Sequence, residues 1–314
     1  MNKVGSYLAV SFAGLLFFGC NFRQLEVITD EEATFDGIAE ISVAGGALEV
    51  RYVGVEGVEE VTLTAYLESN DPISEGIVYH KRGDRLEVML PESDSPFSFW
   101  TGRTKGYVHL SGPKDIKLDL KGSSGVLDIA HIRGDIFDFS ISSGKMELTD
   151  VTCNALKLAC SSGKLEASGI SGAVDLRLSS GLAVLEDVEG NVQFKGSSGS
   201  VSIQDINGRV AGSMSSGKAS LNQVTELGEL SLASGMLTAE RAGLGAETSL
   251  SVSSGYMRVT TNASLADFNY DFSVGSGHLT IGEEGYTDDI HRDNGRVHTI
   301  TGKVQSGKLE LVSR

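Results

Sequence analysis

A Ser-Gly pair recurs along the chain with its glycine at Gly125, Gly144, Gly163, Gly181, Gly199, Gly217 and Gly235, at intervals of 19, 19, 18, 18, 18 and 18 residues. It continues at Gly255, Gly277 and Gly307, with intervals of 20, 22 and 30. Glycine supplies 39 of 314 residues, too few to bring ten of them into register by composition alone. A fixed period of this length marks a repeat architecture, in which each unit buries its apolar face only against its neighbours.

Counting from each glycine shows which residues face inward, because a strand sends alternate side chains to opposite faces. Five residues before the glycine stand Leu120, Phe139, Leu158, Leu176, Phe194, Leu230, Leu250 and Phe272. Three before it stand Ile141, Cys160, Leu178, Met214, Leu232, Val252, Val274 and Val304. After the glycine, Met146, Leu165, Val201, Leu237, Met257, Leu279 and Leu309 come two residues on, and Leu148, Leu185, Ile203, Leu221, Val259, Ile281 and Leu311 four on. The glycine is therefore a corner between two strands. A third apolar position lies seven residues on (Val151, Ile170, Val188, Ile206, Val224), before polar and glycine residues that close the coil.

The pattern predicts an all-β chain, a single right-handed parallel β-solenoid (β-helix) of about ten coils of 18–20 residues, cornered at Ser-Gly and stacked in chain order. Ordering one short coil costs more backbone entropy than its few apolar side chains return, so only the stack is stable. The serines before the glycines, Ser124 to Ser306, share the inward phase and are expected to form a buried hydroxyl column. The corner glycines are expected to hold backbone angles that a β-branched residue reaches only with strain.

The first residues have a different character. Lys3 precedes an apolar run from Tyr7 to Phe18, and Gly19-Cys20 follows before the first acid, Glu26. This is the layout of a secretory signal, and the run is short for a membrane-spanning helix, which needs roughly 20 apolar residues. Phe17-Phe18-Gly19-Cys20 resembles a bacterial lipobox, which implies diacylation of Cys20 and attachment to a membrane through the N-terminal lipid. Residues 1–19 thus read as a lipoprotein signal peptide, 20–32 as a tether, 33–120 as N-terminal strands and cap, and 121–314 as regular repeats. Removing residues 1–19 takes only Lys3 from the 26 basic side chains, leaving 25 against 42 acids. That balance excludes nucleic acid as a partner, since phosphates need Lys and Arg to displace their counterions.

The opening Phe35-Asp36-Gly37-Ile38, the strand Glu40 to Val43, the strand around Leu86 to Leu90 and the Ser-Ser-Gly series from Gly125 onward carry a resemblance. The chain resembles bacterial "putative adhesin" domains of unknown function, related to the head domains called GIN, which are β-solenoids on exported proteins and lipoproteins. The resemblance covers most of the chain after the signal, but its motifs are structural and it implies no catalytic residues. Together with the lipobox, this reads as a lipid-anchored, non-enzymatic module of the cell envelope, at the outer membrane or cell surface, for adhesion or for binding another envelope protein or a glycan; the alternatives are a polysaccharide-acting β-helix enzyme and a structural or sensory envelope spacer.

Several groups have the chemistry of a candidate site. Asp128, Glu147 and Glu166 form an outward acidic column with Lys145 and Lys164 beside it; a solvated, ion-paired face is the simpler account, and a Ca²⁺ site would need six to eight oxygens. Asp119, Asp138 and Asp175 form a second column, interrupted by Lys157, and paired carboxylates on a β-helix could cut an acidic polysaccharide. His291 and His298 flank Asp293-Asn294-Gly295, a turn signal, inside the longest interval. An exposed hairpin is the simpler account there, and a metal site with Asp288 or Asp289 the other. This insertion and the aromatic stretch Phe97, Phe99 and Trp100, followed by Tyr107, are the candidate partner contacts, with a cap over the core as the structural alternative for the aromatics. Cys153 and Cys160 share a coil and read as buried thiols rather than a disulfide. No cofactor, metal or catalytic residue is assigned.

Overall fold

The computed structural model describes residues 24–70, 76–90 and 103–314. Cys20 with the signal, and Phe97, Phe99 and Trp100, lie outside the described residues. β-strands make up most of the described chain, and a 3-10 turn at Leu265–Asp267 is the sole helical element among the described residues.

The regular region runs through Val126–Arg133 (β9), Ile136–Ile141 (β10), Lys145–Cys160 (β11), Lys164–Leu178 (β12), Leu182–Glu189 (β13) and Val192–Gly196 (β14). Ser200–Met214 (β15), Lys218–Leu232 (β16), Met236–Val252 (β17) and Tyr256–Thr261 (β18) continue it. Their pairings are parallel and keep the repeat's register, with Met146 opposite both Leu127 and Leu165, and Leu221 opposite both Ile203 and Ala239. The columns two and four residues after the glycine are fully buried along this stretch, as the alternation requires.

The two apolar columns before the corner have gaps at Gly122, Gly196, Gly212 and Gly302. The structure fills each gap from a neighbouring coil. A Cβ on Gly212 would lie 2.4 Å from the Phe194 ring, one on Gly302 2.5 Å from Phe272, and one on Gly196 2.6 Å from the Met214 side chain. These are cross-strand partners in register, so a large side chain on one coil spends the volume that its neighbour leaves. Gly212→Ala should therefore destabilise by about 1–3 kcal/mol through overpacking. Phe194→Leu in the same chain should recover part of the loss, measured as a double-mutant cycle in urea. Additive penalties would remove the volume argument.

Two expectations about the corner change. The serines before the glycines, among them Ser143, Ser162, Ser180, Ser198 and Ser216, are exposed, so the hydroxyl column faces solvent. What holds the corner is backbone: Ser162 N–H donates to the Ser142 carbonyl, Ser180 to Ser161 and Ser198 to Ser179, each at 2.7 Å. The chain leaves the strand alternation at the corner, which rotates the serine away from the core. The glycines, secondly, are required by closeness more than by backbone angle. Among the ten, only Gly217 (φ 116°) and Gly235 (φ 95°) are left-handed. A Cβ on Gly144, Gly163 or Gly181 would sit 1.9–2.1 Å from the carbonyl oxygen of the preceding coil's glycine.

Left-handed residues instead mark a second corner, six positions after the glycine. His131, Asp150, Asp187, Asp205, Gln223 and Arg241 all have φ between 51° and 58°, and Gly169 joins them at 65°. One residue in this conformation shifts the alternation by one place, which lets Ile132, Val151, Ile170, Val188, Ile206 and Val224 turn back into the core. Asp and Gly tolerate this region better than other residues do, and four of the seven positions carry them.

The stacking order departs from chain order at both ends. Near the N-terminus, Glu40–Gly46 (β2) lies between Arg85–Met89 (β6) and Lys117–Gly122 (β8), parallel to both. Glu49–Val55 (β3) likewise lies between Thr104–Pro113 (β7) and β9. At the other end, Thr299–Val304 (β23) enters between β17 and Asn269–Val274 (β19), and Lys308–Ser313 (β24) between β18 and His278–Ile281 (β20). The coil cornered at Gly307 therefore separates those of Gly255 and Gly277. Antiparallel strands cover both ends. Val61–Ser69 (β4) pairs with β7, Glu26–Phe35 (β1) with β4 and Val78–Arg82 (β5) with β6, while Glu284–Tyr286 (β21) and Ile290–Arg292 (β22) pair with β20 and β19. An uncovered terminal coil would present a row of free N–H and C=O groups, and these strands occupy it.

Candidate functional site

The outward columns of the stack carry the groups that could meet a partner. The acidic column is an ion-pair ladder. Arg51 on β3 reaches Asp128 at 3.2 Å, Lys145 contacts Glu147 and lies 3.5 Å from Glu166, and Lys164 lies 2.7 Å from Glu166. In-register stacking brings the carboxylates within one strand spacing, and the interleaved cations offset their repulsion. The Lys164 ammonium holds the Glu166 carboxyl below the usual carboxylate range, and the hydrogen bond to Glu147 raises Lys145.

On the strand before the corner, Asp138 stands opposite Lys157, which stands opposite Asp175, so the two acids flank a cation. Asp175 also lies 3.1 Å from Arg177. Asp119 pairs with Lys121 at 3.2 Å and sits across from Ser42, and β8 meets β10 only at Lys121–Ser140 and Gly122–Ile141. No ladder pairing joins Asp119 to Asp138.

The histidines are dispersed. His109 stacks on Tyr107 with ring centroids 4.3 Å apart and bonds Glu49 at 3.0 Å, and His131 lies 2.9 Å from Asp150. His291 is on β22 with Asp271 at 4.0 Å, and His298 is exposed beyond the turn. The expected hairpin around Asp293-Asn294-Gly295 is not formed, since β22 and β23 flank β19 from opposite sides; Asn269 ties the turn down instead, accepting from Asn294 N–H and Arg296 N–H at 2.8 and 3.1 Å. Among the described residues no group of three or more His, Cys, Asp or Glu is placed to hold a metal. Cys153 and Cys160 are free and buried, and burial pushes both thiols up. Tyr107 belongs to the end covering, stacked on its cross-strand partner Tyr66 at 5.6 Å.

One further cluster has no signature in the sequence. Arg241, Arg258 and Arg314 line a single cleft of about 450 Å³ with Asn222, Glu240 and Thr260. They lie on three coils, and Arg314 reaches the cleft only because β24 sits beside β18. No period in the sequence connects them. No helix among the described residues is long and apolar enough to cross a membrane.

No curated protein matches the chain. Solved structures do. A "putative adhesin" from Parabacteroides merdae is 13% identical, with 91% of this chain and 96% of that one covered at a TM-score of 0.50. A "putative lipid binding protein" from Parabacteroides distasonis is 15% identical, with 89% and 96% covered at 0.45, and a "putative adhesin" from the same species is 12% identical, with 91% and 97% covered at 0.40. At these identities the first match speaks for the fold and not for a ligand. The repeat, its corner glycines and the strands before them fall within one family match over residues 40–311, and the chain belongs to the Toastrack DUF4097 family.

Proposed function

We propose that this chain is a lipid-anchored, non-enzymatic binding module of the cell envelope, serving adhesion to a glycan or to another envelope protein. One observation carries the reading: an unbroken core with backbone-locked corners supports outward columns whose chemistry changes from coil to coil. The position three residues after the corner passes from Asp128, Glu147 and Glu166 through Val184, Ser202 and Ser220 to Thr238 and Arg258, along registered strands. A rigid surface of varied chemistry suits recognition at low entropic cost. The coils wind right-handed in this reading, as parallel crossovers do.

The envelope location rests on the N-terminal residues. Cys20→Ser should give a chain that is no longer labelled by fatty acid and no longer partitions into detergent, and persistent partitioning of a processed Cys20→Ser chain would remove the anchor. Binding is tested by retention of cells bearing the protein on immobilised envelope and glycan fractions. The double change Asp119→Asn, Asp138→Asn should leave retention intact. Cleavage of acidic polysaccharide or peptidoglycan by the purified chain, lost in that double variant with circular dichroism unchanged, would replace the binding reading with an enzyme.

A further inference from the structure

We propose that the arginine cleft beside the left-handed corner is a binding site for a carboxylate-bearing oligosaccharide, one rich in uronic acid, lying along the axis of the stack. The inference rests on the binding reading above and gives it a place and a ligand class. Three guanidinium groups meet here in a chain whose 42 acids outnumber its 26 basic residues. Two of the three are uncommitted to carboxylates. Arg258 lies 3.5 Å from Glu310, whereas Arg241 donates to Asn222 Oδ1 at 2.9 Å, and neither Arg241 nor Arg314 has a carboxylate within 4.0 Å among the described residues. Guanidinium presents a planar fork of donors that matches a carboxylate two-by-two.

The cleft continues along the stack. A second cleft of about 370 Å³ shares Arg241 and is lined by Asp205, Asn207, Gln223 and Thr225. Together the two cross five successive coils, from that of Gly199 to that of Gly307. Each coil advances about 4.8 Å, close to the length that one pyranose ring adds to a chain. Amides, hydroxyls and carboxylates alternate with the arginines and supply both donors and acceptors for sugar hydroxyls. A protein partner would ask for an aromatic or aliphatic anchor pocket, and the apolar residues here, Ile206 and Val224, are buried in the core. Glu240 and Asp205 stand in the clefts and oppose an anionic ligand locally, so Arg241 and Arg314 must outweigh them there; acids beyond about 8 Å are screened at physiological ionic strength.

The test uses the full chain purified in detergent, titrated with fluorescently labelled hexagalacturonate, neutral maltohexaose and hexaglutamate. Hexagalacturonate should bind at least tenfold more tightly than either control. Arg241→Gln with Arg314→Gln should weaken it at least tenfold with the melting temperature unchanged, while Arg177→Gln, on the strand before the corner, should leave it unaltered. Equal binding of hexaglutamate, or hexagalacturonate binding indifferent to the double variant, overturns the proposal. If hexagalacturonate fails to bind while cells bearing the protein are still retained on envelope fractions, the cleft assignment falls and the binding reading stands; loss of both removes both.

Discussion

Gly181→Val should lower stability by about 3 kcal/mol, at the upper end of what overpacking a closed interior costs. For a chain of this size that is a fall of roughly 6–12 °C in melting temperature. The cause is distance. A Cβ at Gly181 would stand 2.0 Å from the Gly163 carbonyl oxygen and 3.0 Å from its carbon, atoms of a neighbouring backbone that no rotamer change can move. Relief requires two coils to part, which stretches the 3.0 Å bond from Leu182 N–H to Gly163 and the 2.7 Å bond from Ser180 N–H to Ser161. Gly181→Ala should already show much of the effect, since the methyl carbon is the clashing atom. Gly46 provides the contrast: nothing lies within 4 Å of its Cβ position, and its φ of 55° leaves only the left-handed penalty, so Gly46→Ala should cost about 1–2 kcal/mol. Thermal melts of the three variants separate close approach from backbone angle. Equal losses at Gly181 and Gly46 would remove the close-packed corner.

Ending the chain after His298 should be far more damaging than peeling one coil from the end of a stack. β23 and β24 are interior, lying between β17–β18 and β19–β20. Their loss removes the buried Ile300, Val304, Leu309 and Leu311, roughly 6–12 kcal/mol of burial at about 1.5–3 kcal/mol per side chain. It also leaves β19 and β20 without a parallel partner and exposes the edge of the preceding coil. Hydrogen exchange should show protection lost throughout residues 265–298 and reduced into β17 and β18, with aggregation through the bared edge. A chain ended after Ser264 should be no less stable than the one ended after His298, because the extra segment then has nowhere to dock. Full protection of β19 in the chain ended after His298 would show that the coils stack in chain order.

Much of this architecture was written into local chemistry. Residues such as Leu127, Met146 and Leu165 alternate with polar neighbours, and that period alone assigns strand, inner face and register, because burial depends on what a side chain is and on the parity of its position. The corner glycines are legible for a similar reason: nothing larger than hydrogen fits there on any coil. The left-handed corner was legible in part, through Asp150, Gly169, Asp187, Asp205 and more weakly His131, but Gln223 and Arg241 at the same position carry no such preference.

Stacking order lay beyond the sequence. Every coil offers nearly the same apolar face and the same backbone donors, so period and hydrophobicity cannot say which coil a given one will join. Complementary shape decides it, as where the Gly302 backbone admits the Phe272 ring, and so does the need to cover both ends with antiparallel strands. The serine hydroxyls turned outward for the same kind of reason, since corner geometry and not strand parity sets their direction. Arg314 becomes a neighbour of Arg258 only through the insertion of β24 beside β18, a contact between segments distant along the chain that the folded stack alone creates.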